Sequence, residues 1–163
     1  MQVRYANQAE ELDLVAPLWN ALQEHHSEVL PTLGNQVSPR PLEDSWSRRR
    51  AKYERWLDDS ETFFAIAEDE GEAVGYAFVT VGPGYAGWQT GRLAELETLS
   101  VLPSHRGHQV GSRLLDAVWS KLGERDIDEL AITTALTNVD SHRFYERHGF
   151  SQSFVIYYGK RSG

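Results

Sequence analysis

LSVLPSHRGHQVGSRLL, residues 99–115, decides how the chain is read. An apolar run gives way at Leu102-Pro103 to a basic, glycine-containing turn, and that turn opens a helical pattern. Leu114, Leu115, Val118 and Leu122 recur at the spacing of one helix face, with Gly123 as the expected stop. A strand, a loop and a helix N-terminus in that order bring unpaired main-chain N–H groups together, the arrangement that holds phosphate oxygens. Gly107 and Gly111 permit close backbone approach. Arg106 and His108 supply positive charge, flanked by His105 and Arg113, and no carboxylate follows until Asp116. Gln109 stands where such loops usually carry glycine, yet it keeps its N–H. The cradle is therefore expected to form with Gln109 at ordinary helical or bridge angles and its side chain turned away. The alternative is a plain strand-to-helix turn with a solvated basic face. Neither a Gly-Lys-Ser/Thr ending nor the six-residue dinucleotide spacing of glycines is present.

Working outward, VRYA reads as a first strand, and Leu12, Val15, Leu18, Trp19 and Leu22 as a helix that Pro17 either kinks or starts later. PTLGNQVSPRP (31–41) is a loop, and a second helix carries Trp46, Arg50, Tyr53 and Leu57 along one side. ETFFAIAE and AVGYAFVTV are strands joined by the hairpin signal DEGE. GPGYAGWQTGR leads into the strand LAELETLSVLP. After the helix that residues 99–115 open come the strand ELAITTAL, a short helix over DSHRFYERH and a last strand, FVIYY. The order β-α-α-β-β-β-α-β-α-β predicts an α/β chain with a mixed sheet and helices on both faces, in one domain over residues 1–163.

Composition excludes several classes. The net charge of -8 argues against a general nucleic-acid binder. Cysteine is absent, which removes a disulfide framework and a thiolate nucleophile, and is compatible with a reducing cytoplasm. No apolar segment approaches the roughly 18 residues of a membrane span, and the first residues do not resemble a signal peptide. A cytoplasmic protein without a membrane or nucleic-acid partner is expected. The six histidines show no metal spacing, so no metal is expected. SRRRAKYER (47–55) could hold an anionic partner, although charge runs on helices are usually solvated faces.

LSVLPSHRGHQVGSRLL followed by NVDSHRFYERHGF (138–150) resembles the GNAT superfamily of acyl-CoA-dependent N-acyltransferases. The family signature, Gln/Arg-x-x-Gly-x-Gly/Ala, falls on Arg106, Gln109 and Gly111, with Gln109 departing from it. The second landmark falls on Asn138, Phe144, Tyr145, Gly149 and Phe150, about thirty residues later. The resemblance implies an acetyl-CoA site. Arg106, Gly107, His108, Gln109, Val110, Gly111 and Ser112 would wrap the pyrophosphate, while Leu99, Ser100 and Val101 pair with the pantetheine arm along a fourth strand splayed from the fifth. Asn138, Ser141 and Tyr145 would contribute from the later helix. It also implies direct attack of an amine on the thioester, with a backbone N–H stabilising the oxyanion.

Tyr145 is the expected acid near the departing sulfur; its bland alternative is an amphipathic core residue. Asn138 lies seven residues earlier, two helical turns, provided the helix reaches back that far. An amine at neutral pH is mostly protonated, so a base is needed. Glu95 and Glu97 lie two apart and share a strand face unless a bulge intervenes; either could be that base, often acting through water, or could hold a cationic acceptor. His25, His26, Trp46, Tyr85 and Trp88 are candidates to line the acceptor pocket, each Trp having core packing as its alternative. The expected reaction is transfer of acetyl from acetyl-CoA to a primary amine of a small molecule or peptide. A non-catalytic acyl-CoA sensor is the competing reading, and a homodimer is possible.

Overall fold

A computed structural model describes residues 1–30, 38–87, 91–159 and 161. Its strands are β1 (Gln2–Ala6), β2 (Phe63–Asp69), β3 (Glu72–Gly82), β4 (Leu93–Val101) and β5 (Glu129–Ile132). They form one sheet in the order β1-β2-β3-β4-β5, antiparallel except for the parallel β4–β5 pair. The helices are α1 (Ala16–Val29), α2 (Leu42–Leu57), α3 (Val110–Gly123) and α4 (Val139–Arg147), with 3-10 turns over Ala9–Val15 and Pro103–His105. Pro17 lies in the first turn of α1, where its missing N–H costs nothing, so it starts that helix rather than kinking it. The hairpin between β2 and β3 turns on Glu70 and Gly71, both at positive φ, as the DEGE signal requires.

The period-2 pattern of the strands sorts side chains by size. Ala65, Ala67, Ala77 and Ala94 face one side with Phe63, Val79 and Leu96, and there they meet Val110, Leu114, Leu115, Val118 and Leu122 of α3. Phe64, Ile66, Tyr76 and Phe78 face the other side, with Leu12, Val15, Leu18 and Tyr53. The alanine-rich face lets α3 lie close to the sheet. Gly75 is the extreme of this: a Cβ there would sit 3.0 Å from the Ser100 carbonyl oxygen and 3.1 Å from Leu114 and Val110.

Two expectations are corrected. FVIYY does not form a strand: residues 151–159 carry no regular structure, and Phe154 to Tyr158 are all exposed. β-propensity does not suffice without a ladder partner, and β5 extends for only 4 residues. Gln109 is in the left-handed region (φ 61, ψ 11), where helical or bridge angles were expected. A short connection must reverse the chain between the end of β4 and α3, and it places positive φ at both Gly107 (φ 79) and Gln109. The Cβ of Gln109 makes that conformation costly.

Candidate active site

The β4–β5 pairing runs from Leu93 opposite Glu129 to Leu96 opposite Ile132 and stops, while β4 continues to Val101. The β5-side backbone edge of residues 97–101 is therefore open among the described residues, as a splayed fourth strand requires. Leu99 and Val101 point towards the α3 side, half-buried. Ser100 is buried, and its hydroxyl donates to the Leu18 carbonyl at 2.9 Å, so only its main chain is available to a ligand.

Beyond β4 the chain enters the turn that opens α3. No side chain caps the first amides of α3, so the N–H groups of Val110, Gly111 and Ser112 lack helical partners. Arg106 donates from Nε to the Val101 carbonyl at 3.3 Å, which holds the guanidinium beside the end of β4. His108 Nδ1 donates to the Arg106 carbonyl at 3.0 Å. Among the described residues neither Arg106 nor Arg113 pairs with a carboxylate, whereas His105 lies 3.9 Å from Asp69. The Val110 side chain is core, and only its backbone faces the turn. Gly111 serves packing as much as ligand approach: a Cβ would sit 3.3 Å from the Phe144 ring.

α4 is seated on this turn. His148 donates from Nδ1 to the Phe144 carbonyl at 2.8 Å, and its Nε2 shares a hydrogen bond with the Ser112 hydroxyl at 3.0 Å. The Ser112 side chain is thus engaged by α4, leaving its N–H for an anion. Asn138 is the buried N-cap of α4, its side-chain oxygen accepting from the Ser141 N–H at 3.2 Å. The Gly-Phe pair is a helix stop. Gly149 (φ 85) donates to the Glu146 carbonyl, and Phe150 N–H reaches back to Tyr145 at 3.1 Å. Phe150 then packs on Trp119 and Tyr145. Between Phe144 (5.2 Å) and Phe150 (5.8 Å), the Tyr145 phenol is pushed well above its ordinary range by burial.

On the opposite face of β4 lies a cleft of about 580 Å³, lined by residues of α2, β3 and β4 and by the turn after β3. Glu95 and Glu97 both line it. A bulge intervenes without separating them: Val79 pairs with Leu96 and Phe78 with Thr98, leaving Glu97 as the extra residue. Glu97 accepts from the Thr80 hydroxyl at 3.0 Å. Burial first, and then repulsion from Glu95, raise its carboxyl above the ordinary range; Thr80, Lys52 and Arg49 oppose that rise. The bulge turns Thr98 the same way, into a buried cluster in which Tyr53 Oη lies 2.5 Å from Thr98 Oγ1 and 3.1 Å from Tyr76 Oη.

Tyr85 lines the cleft, whereas Trp88 lies outside the described residues. The cleft lining does not include His25, His26 or Trp46. Trp46 packs edge-on to Tyr53 at 6.5 Å. His25 and His26 are on α1, where burial, His25 and Arg49 lower the His26 pKa. Sequence reasoning named Lys52 and Arg55 only within SRRRAKYER, as a run that could hold an anionic partner, and missed Trp56 and Thr80 as cleft residues. The available signal was the helical spacing that sets Lys52, Arg55 and Trp56 on one face of α2. Among the described residues no three His, Asp or Glu side chains group as a metal site, and no helix is long and apolar enough to cross a membrane.

Known proteins share this arrangement. The acetyltransferase (GNAT) family model matches residues 19–150. The aminoglycoside N(6')-acetyltransferase type 1 of Klebsiella aerogenes is 30% identical over 152 residues, 92% of this chain and 87% of that one. The aminoalkylphosphonate N-acetyltransferase of Salmonella typhimurium is 30% identical over 99 residues, 60% of this chain and 62% of that enzyme. The structure of AAC(6')-Iy in complex with the bisubstrate analogue CoA-S-monomethyl-acetylneamine superposes with a TM-score of 0.70 at 25% identity, covering 99% of this chain and 98% of that one. The open β4 edge and the uncapped α3 N-terminus suit the pantetheine and pyrophosphate of coenzyme A. The chain belongs to the GNAT family and is an N-acetyltransferase with acetyl-CoA as acyl donor and an amine as acceptor.

Proposed function

We propose that the chain acetylates a primary amine by direct transfer within a ternary complex, the acceptor entering the cleft between α2 and β4. The observation that carries this reading lies on β4: its backbone edge at residues 97–101 is open, and its Glu95 and Glu97 line the cleft. Acetyl-CoA supplies an acyl group activated as a thioester. The α3 amides and Arg106 hold its pyrophosphate, and the residue 99–101 main chain orients its arm. Glu97, fixed by Thr80, takes a proton from the ammonium through water, and Glu95 holds the amine in place.

Tyr145 acts at the sulfur by its Oη–H. Its raised pKa against roughly 8.5 for a thiol makes full proton transfer unfavourable. It therefore stabilises the leaving thiolate as a hydrogen-bond donor. The Klebsiella and Salmonella relatives act on aminoglycosides and aminoalkylphosphonates, so both a polycationic and an amphoteric amine are within reach of the family.

The same reading includes a homodimer, supported by the exposed apolar run Phe154–Tyr158, and a cytoplasmic setting. Thiol release from acetyl-CoA over a panel of primary amines tests the function, with coenzyme A binding measured in parallel. Turnover with at least one amine is expected. Coenzyme A binding with no turnover on any amine would favour the sensor.

A further inference from the structure

The cleft has walls of opposite charge. Glu95 and Glu97 line it from β4 and Lys52 and Arg55 from α2, with Asp59 just beyond α2 and Trp56 and Tyr85 also in the lining. The cations of α2 are not treated alike. Arg48 pairs with Asp44 at 3.2 Å, and Arg50 pairs with Asp13 at 3.1 Å and with Glu54. Among the described residues Arg49, Lys52 and Arg55 make no ion pair; Arg49 lies over the Trp19 and Tyr53 rings, away from the cleft lining, and Lys52 and Arg55 line the cleft, although Asp59 stands four residues beyond Arg55. Asp59 instead accepts from the Glu61 N–H at 2.9 Å. Lys52 places its ammonium 4.3 Å from the Trp56 ring centroid, which fixes its direction without neutralising it. Like charges one turn apart repel on a helix, and neither cation is consumed by an ion pair within α2. In a chain of net charge -8, these two cations stand beside a cleft whose other charged lining residues, Asp59, Glu95 and Glu97, are carboxylates.

Resting on the reading that the β4 carboxylates receive the amine, we propose that the acceptor is amphoteric. It is a primary amine whose molecule also carries an oxyanion, the amine seated on Glu95 and Glu97 and the oxyanion on Lys52 and Arg55. A carboxylate, a phosphonate and a phosphate share the chemistry the two cations recognise, and the two fork-like edges of Arg55 suit any of them. A polycationic acceptor would instead bring ammonium groups against Lys52 and Arg55, and an amine with an apolar tail would use neither cation.

The test is steady-state acetylation of matched amines at one pH: 3-aminopropylphosphonate and 4-aminobutanoate against propylamine, spermidine and kanamycin. The amphoteric pair is expected to have at least a ten-fold higher kcat/KM than propylamine. In the Lys52→Gln/Arg55→Gln variant that preference should fall at least five-fold through KM, while Arg48→Gln, whose cation is already paired, should keep it. Lys52→Arg, which keeps both cations, should retain most of the preference. Equal or better turnover of propylamine, spermidine or kanamycin would overturn the proposal and leave the acetyl-transfer reading standing. So would a preference that survives the double variant. No turnover with any amine would overturn both.

Discussion

The Thr80 hydroxyl donates to Glu97 at 3.0 Å across the β3–β4 ladder, at the bulge where Glu97 is the extra residue. The contact fixes one carboxylate of the cleft and leaves Glu95 exposed, which separates two residues that spacing alone treats as equivalents.

That asymmetry gives a pH prediction. A general base works ionised, so kcat/KM rises with pH through its pKa. Glu97 has a raised pKa, so the acidic limb should lie above the ordinary glutamate range. Glu95→Gln removes a neighbouring negative charge, lowers the Glu97 pKa and moves the limb to lower pH. Thr80→Val removes a hydrogen bond that favours the ionised form and moves it to higher pH. Glu97→Gln should abolish the limb and cost about 100-fold in kcat/KM. Opposite shifts in the first two variants assign the base to Glu97; a limb that follows Glu95 instead would reassign it.

Gln109 at φ 61 predicts that glycine is better tolerated there than the native side chain. Gln109→Gly should raise stability by about 0.5–1 kcal/mol, because relief of the left-handed penalty exceeds the added chain entropy of glycine. For a chain of this length that is a melting-temperature rise of roughly 1–4 °C. Coenzyme A affinity should stay within about three-fold, since the cradle uses main-chain N–H groups. Gln109→Val should lower the melting temperature. A large affinity loss on Gln109→Gly would show that the glutamine side chain itself grips the ligand.

These two sites mark how far the sequence could be read. Strands β2 to β4 and helix α3 are legible because each carries one unambiguous period, and the loop after β4 is legible because residue types and order agree. The φ of Gln109 is not legible: the span that the connection must close sets it, not the residue's own preference. FVIYY has the propensity of a strand and no partner for its ladder. Lys52 and Arg55 look like any solvated helix charges until β4 is known to lie opposite. The Gly149-Phe150 pair reads as a motif landmark, and the fold adds why: it ends α4 and packs the ring on Trp119.

Tyr145→Phe separates chemistry from packing. The ring contacts with Phe144 and Phe150 survive the substitution, so coenzyme A affinity should change less than about three-fold. Losing the hydrogen bond to the leaving sulfur should lower kcat by about 10–100-fold. Burial keeps the phenol protonated well past its ordinary range. The native enzyme should therefore show no falling alkaline limb from Tyr145 below about pH 10. Unchanged kcat in the variant would remove Tyr145 from this role, whereas an alkaline limb that disappears with it would keep Tyr145 as a donor and overturn the raised pKa.

Beneath the bulge, the hydroxyls of Tyr53, Thr98 and Tyr76 satisfy one another with no solvent access to the two phenols. Burial raises both tyrosine pKa values, so the cluster stays neutral. Thr98→Val keeps the shape and removes one partner of Tyr53, which should cost about 1–3 kcal/mol by leaving a buried hydroxyl under-satisfied. Tyr53→Phe alone should cost a similar amount, because Thr98 and Tyr76 then each lose a partner. The double variant removes both ends of the same contact, so its loss should fall short of the sum by about 0.5 kcal/mol or more. Urea unfolding of the four proteins measures this coupling. Thr98 adjoins Glu97, so Thr98→Val should also shift the acidic limb of kcat/KM, whereas Tyr53→Phe should shift it less. Strict additivity in the unfolding series would mean that the cluster is not cooperative and that β4 holds its bulge without it.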